Sequence, residues 1–161
     1  MGFFDRLFGL RGEEYSVDPT YRGLRQQALT LDPTTVGISE TAGRPVFGFL
    51  MDMGYQKAVA TLVVIADGTV SLYFSNGGGM IGLGEDEPVR KSAGELLAGV
   101  GHFLPHCLPA TDFPLPKKGN ARFLLLSFGG VRTAEAGESD LGNARLPLSP
   151  LFLKSHEVIH F

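Results

Sequence analysis

The run Ala58-Val-Ala-Thr-Leu-Val-Val-Ile65, the turn signal Asp67-Gly68 and the run Thr69-Val-Ser-Leu-Tyr-Phe-Ser75 decide the fold. The first run is apolar on both faces and rich in β-branched residues, which suits a central strand covered on two sides. The second alternates: Val70, Leu72 and Phe74 point one way, Ser71, Tyr73 and Ser75 the other, so one of its faces is expected to be wet. Asp67-Gly68 between them reads as a type I′ hairpin turn, which requires positive φ at both central residues. Upstream, Val46 to Met53 is a further extended run, and Gly54-Tyr55-Gln56 supplies its turn. These three runs make an antiparallel meander. Downstream, Arg122 to Phe128 and Val131 to Ala136, joined through Gly129-Gly130, add a hairpin.

Helices flank these strands. Asp18-Pro19 reads as an N-cap with proline at the first helical position, opening a helix over Pro19 to Leu31 that Asp32-Pro33 ends. Val89, Ala93, Leu96, Leu97, Val100 and Phe103 recur at helical spacing, so a helix is predicted over Val89 to Leu104, stopped by Pro105. A polar loop from Gly137 to Pro147 leads to Ser149-Pro150 and a last helix over Leu151 to His160. The expected class is α+β: one domain over residues 13–161 with a mainly antiparallel five-stranded sheet, in the order three-stranded meander, helix, hairpin and C-terminal helix. Residues 1–12 read as an amphipathic segment with Phe3, Phe4, Leu7 and Phe8 on one side.

Composition narrows the function classes. The chain of 161 residues is 43% hydrophobic and 19% charged, which excludes a chain too polar to build a core. Fourteen basic against seventeen acidic residues give a charge of −3, no broad footprint for nucleic acid. Cys107 is the sole cysteine, so no intramolecular disulfide is expected and a reducing cytoplasm is the simplest setting. No apolar run reaches the roughly 18 residues of a membrane span. Asp5 and Arg6 interrupt the first apolar stretch, which therefore does not read as a signal peptide.

One motif carries a named chemistry. His156-Glu157-Val158-Ile159-His160 matches H-E-x-x-H, in which two histidines on one helix face share a zinc ion and the glutamate acts as base toward its water. Over these five residues the chain resembles the zincin metallopeptidases. That resemblance implies zinc as cofactor, His156 and His160 as ligands and Glu157 as the catalytic base. A catalytic zinc takes a third protein ligand, for which the upstream His102, His106 and Cys107 have suitable side chains. The bland reading is a polar helix face that carries two histidines near a helix C-terminus, where their positive character is favourable. Likewise His102, His106 and Cys107 read as a helix end with one buried thiol, because Pro105 breaks their spacing.

Glycine is in excess, 22 of 161 residues against a usual level of about 7%. Asn76-Gly77-Gly78-Gly79-Met80-Ile81-Gly82-Leu83-Gly84 holds a dense share of it between a strand and a helix start. That is where backbone N–H groups can hold an anion. The loop matches neither nucleotide-binding glycine pattern, however, and Glu85, Asp86 and Glu87 behind it repel phosphate. The stretch Leu72 to Glu85, with Phe123 to Phe128 and Pro147-Leu148-Ser149-Pro150-Leu151-Phe152, resembles a family of small uncharacterised bacterial proteins. This resemblance implies a bacterial, cytoplasmic setting and brings no activity.

The leading expectation is a non-enzymatic cytoplasmic binding or assembly module without a cofactor. It would self-associate or meet a protein partner, with Asn76, Gly77, Gly78, Gly79 and Met80 as the binding residues. The alternatives are a zinc-dependent hydrolase on the HEVIH segment and an anion or nucleotide binder at the glycine loop.

Overall fold

The computed structural model describes residues 15–160; the amphipathic segment over residues 1–12 lies outside them. Asp18 caps the first helix as expected: its Oδ1 accepts from the Thr20 N–H at 2.8 Å, and α1 runs over Pro19–Leu29. Asp32 then opens a short 3-10 turn over Pro33–Val36, its carboxylate accepting from the Thr34 N–H. The meander follows as β1 (Val46–Gly54), β2 (Val59–Ile65) and β3 (Val70–Phe74).

The turn between β2 and β3 differs from the expected type. Ile65 N–H donates to the Thr69 carbonyl, so the loop has three residues, and only Gly68 is left-handed, at φ 98°. Asp67 stays at negative φ and uses its carboxylate to accept from the Thr69 N–H. A three-residue hairpin that ends on a left-handed glycine needs only that one special residue.

The remaining elements are β4 (Gly79–Met80), α2 (Glu87–Val100), β5 (Leu108–Pro109), β6 (Asn120–Ser127), β7 (Gly130–Gly137), α3 (Glu138–Gly142) and α4 (Ser149–Ile159). Among the described residues the sheet has seven strands, not the expected five, all antiparallel, in the order β4-β3-β2-β1-β6-β7-β5. The two extra strands have two residues each, at opposite margins. Two residues hold no period-2 signal. One strand lies inside the glycine loop and the other in a proline-rich connection. The helix expected to reach Leu104 stops at Val100 and tightens to 3-10 geometry over Gly101–His106, with Pro105 inside it.

Both faces of the sheet are covered. On one, Phe49, Met51, Leu62, Phe123 and Leu125 pack with Leu96 of α2 and Leu151 of α4. Phe49 and Phe123 are fully buried, their rings stacked at 6.2 Å, and complete burial of each stabilises the fold by about 1.5–3 kcal/mol. On the other face, Leu29 of α1 meets Leu50, Val63, Leu124 and Leu126. The polar face of β3, expected to be wet, is covered too. Ser71 and Ser75 are buried, Ser75 Oγ accepts from the Val59 N–H, and the Asp18 N–H donates to the Ser75 carbonyl.

Candidate functional site

Asn76, Gly77, Gly78, Gly79 and Met80 come together on one exposed hairpin joining β3 to β4. Phe74 N–H donates to the Gly78 carbonyl and Gly77 N–H to the Phe74 carbonyl, and Gly77 sits at φ 108°, a conformation that favours glycine. Met80 is 48% exposed and the next residue, Ile81, 76%. The Asp18 carboxylate stands against Gly77, and Glu85, Asp86 and Glu87 are exposed beyond the hairpin. The field at this loop therefore opposes a phosphate.

The second half of the glycine run has a different task. Gly82, left-handed at φ 72°, caps a 3-10 turn over Leu83–Glu85. Buried Gly84 lies so close to the Gly68 carbonyl that a Cβ there would overlap it. This approach brings the start of α2 against the β2–β3 turn, and Arg90 Nη1 donates back to the Gly84 carbonyl at 3.2 Å.

The HEVIH segment occupies the last turns of α4 and its cap. The His156 ring meets Phe152 edge-on at 4.4 Å and stacks on His160 at 5.7 Å, and its buried Nε2 has no hydrogen-bond partner among the described residues. Glu157 turns away to an exposed ion pair with Lys154 at 2.9 Å, and Lys154 also bridges to Glu95 of α2 at 2.7 Å. Among the described residues no three His, Cys, Asp or Glu side chains gather closely enough to share a metal ion. Cys107 is the expected buried thiol: its Sγ donates to the Phe103 carbonyl, and burial pushes it up to about 11, partly offset by Arg132.

Burial, and then the charge of His160, lowers the His156 pKa from 6.5. The unfolded chain therefore takes up this proton first. The associated stability is complete above the unfolded value and is lost as pH falls through the folded one. In urea unfolding at about pH 7.5 and about pH 5.5, the midpoint should fall less in His156→Gln than in the native chain. Equal falls would refute this assignment.

A polar cluster that crosses five strands is not among the residues singled out from the sequence. Tyr73, Thr61, Asp52, Arg122 and Glu135 are direct partners across β3, β2, β1, β6 and β7, so they form one row on the α1 face. Asp52 is fully buried. Arg25 of α1 grips it through Nη2 to Oδ2 at 2.7 Å and Nε to Oδ1 at 3.3 Å, and sends Nη1 to the Phe113 carbonyl at 2.9 Å. Thr61 Oγ1 donates to Asp52 Oδ1, and the Tyr21 hydroxyl pairs with Thr61 at 2.6 Å. Burial, then the Asp52 charge, keeps the Tyr21 phenol protonated well above its usual range. Farther along, Arg122 pairs with Glu135 at 2.6 Å, and Glu135 also accepts from Asn120 and the Lys117 N–H. Each carboxylate in the row is thus engaged by its neighbours. The row fastens α1 and the 113–117 segment to the sheet.

Compared with protein-family models, curated proteins and solved structures, the chain matches none.

Proposed function

We propose that this chain is a non-enzymatic assembly module that pairs with a second copy of itself along β4. The observation that supports this is the exposed Met80–Ile81 pair at an unguarded sheet margin. Edge strands leave backbone N–H and C=O groups without a partner, and proteins commonly blunt them with charge or proline. At the opposite margin Pro109 of β5 has no N–H to donate. Around β4 the chain runs from Asn76 to Gly84 without a charge or a proline. Antiparallel pairing of β4 with its copy about a twofold axis would extend the backbone ladder and bury Met80 against its equivalent, with Ile81 covered at the end of the pair. The competing zinc chemistry asks for a third ligand beside His156 and His160, and the described residues bring none there.

The test is solution mass. At about 100 μM, well above a micromolar Kd, the native chain should be a dimer. The Met80→Lys, Ile81→Lys double variant should be a monomer that stays folded, with the melting temperature the native chain shows once diluted to monomer, since in the monomer both side chains face solvent. A native monomer at that concentration, or a variant that still dimerises, would overturn the reading.

A further inference from the structure

A cleft of about 490 Å³ opens where α2 and the 37–44 segment part around the ends of β1 and β2. Its volume falls within the range of about 300–1,000 Å³ typical of small-molecule sites. Phe47, Ile65, Val70, Leu97 and Phe128 supply apolar walls, and the Phe47 and Phe128 rings meet at 5.1 Å. Two arginines, Arg44 and Arg90, are also among the residues that line it. Among the described residues the ion pairs engage Arg25, Arg122, Arg145 and Lys154, and give Arg44 and Arg90 no carboxylate. The Arg90 guanidinium is tethered at the start of α2 by its bond to the Gly84 carbonyl. The one acid in the lining, Asp67, already accepts from the Thr69 N–H. Two positive charges against one negative leave a single positive charge to be met.

Gly94 is an independent observation. It lies inside α2, where glycine disfavours a helix, and it lines the cleft, yet a Cβ there would meet nothing within 4 Å. No packing contact therefore requires glycine at that position. Its effect is to keep the helix side of the cleft open.

We propose that this cleft binds a small amphipathic monoanion, an apolar chain or ring carrying one carboxylate, with the carboxylate on Arg44 and Arg90 and the apolar body against Phe47, Phe128 and Leu97. Guanidinium groups suit a carboxylate because their planar N–H pairs match its two oxygens. A dianion would bring a second negative charge toward Asp67.

The probe is decanoate, titrated calorimetrically into the full chain below its micelle-forming concentration, with 1-decanol as the uncharged control. Decanoate should bind more tightly than decanol and shift the amide resonances of Gly94 and Phe128. Arg44→Gln with Arg90→Gln should weaken decanoate by roughly tenfold or more and leave decanol unchanged. Gly94→Leu should abolish binding of both while keeping the melting temperature, because leucine is the better helix former. Absence of binding at about 1 mM decanoate, equal affinity for decanol, or indifference to the arginine pair would each overturn the proposal. The arginine variants change exposed side chains and retain their value should Gly94→Leu fold poorly. None of these readouts depends on the state of the β4 margin.

Discussion

Replacing Arg25 with Met lowers the unfolding free energy by about 3–5 kcal/mol, the cost of leaving a buried charge without its partner. Asp52 is fully buried in β1, and two of the hydrogen bonds to its carboxylate come from Arg25. Without the guanidinium the carboxylate keeps, among the described residues, the Thr61 hydroxyl alone, and the Phe113 carbonyl loses its bond to Nη1. The stem of methionine still fills the space between α1 and the sheet, so the loss reports charge rather than a cavity. The paired substitution Arg25→Met with Asp52→Leu should recover most of the stability, because removing a buried ion pair whole is often neutral or better. Urea unfolding followed by circular dichroism measures both, with an unchanged m-value as the sign that the transition remains two-state. If Arg25→Met cost less than about 1 kcal/mol, the pair would be behaving as an exposed one. If the double variant were no better than the single one, the loss would lie in packing.

Both halves of this pair carry a signal in the sequence. Tyr21, Arg25 and Leu29 form the buried stripe of α1 at a spacing of four, with a charge at its centre. Asp52 is the one charge in Val46–Gly54, where every residue is buried. Two opposite charges inside two apolar stripes are visible in the sequence itself. What the chain does not reveal is that they meet, since α1 and β1 are 27 residues apart at this point and nothing local sets the docking of one on the other. The same division runs through the rest of the fold. The meander and the three longer helices, α1, α2 and α4, rest on periodicities carried by many residues, and the Asp18 cap rests on one local hydrogen bond; these are legible. The strands β4 and β5 exist only because a neighbour offers its edge, and α3, with five residues, is too short to show a helical period. The glycine loop was legible as a place of interest, but its division into an exposed hairpin and a buried approach to Gly68 depends on contacts across the fold. The cleft was not legible at all, because its walls come from four separated stretches, each ordinary by itself.

Gly84→Ala should cost about 2–3 kcal/mol, a large penalty for one methyl group. The cause is space rather than backbone conformation, since Gly84 is not among the left-handed residues and its φ suits alanine. The added Cβ would overlap the Gly68 carbonyl oxygen, with Val70 Cγ2 only 3.4 Å away. That carbonyl cannot easily retreat: Gly68 is fixed at φ 98° in a tight hairpin whose strands are hydrogen-bonded on both sides. The 3-10 turn must move instead, and with it the start of α2. Gly94→Ala is the matched control in the same protein. Its Cβ meets nothing, it sits in a helix, and it should stabilise by about 0.4–1 kcal/mol. The two glycines thus predict opposite signs for one chemical change, and thermal unfolding of both variants decides it. A loss below about 0.5 kcal/mol for Gly84→Ala would mean that the turn gives way freely. The substitution also reaches the cleft, because the Gly84 carbonyl anchors Arg90. Decanoate affinity should therefore fall in Gly84→Ala even at temperatures where the variant is fully folded. Retained affinity would show that Arg90 finds its place without that anchor.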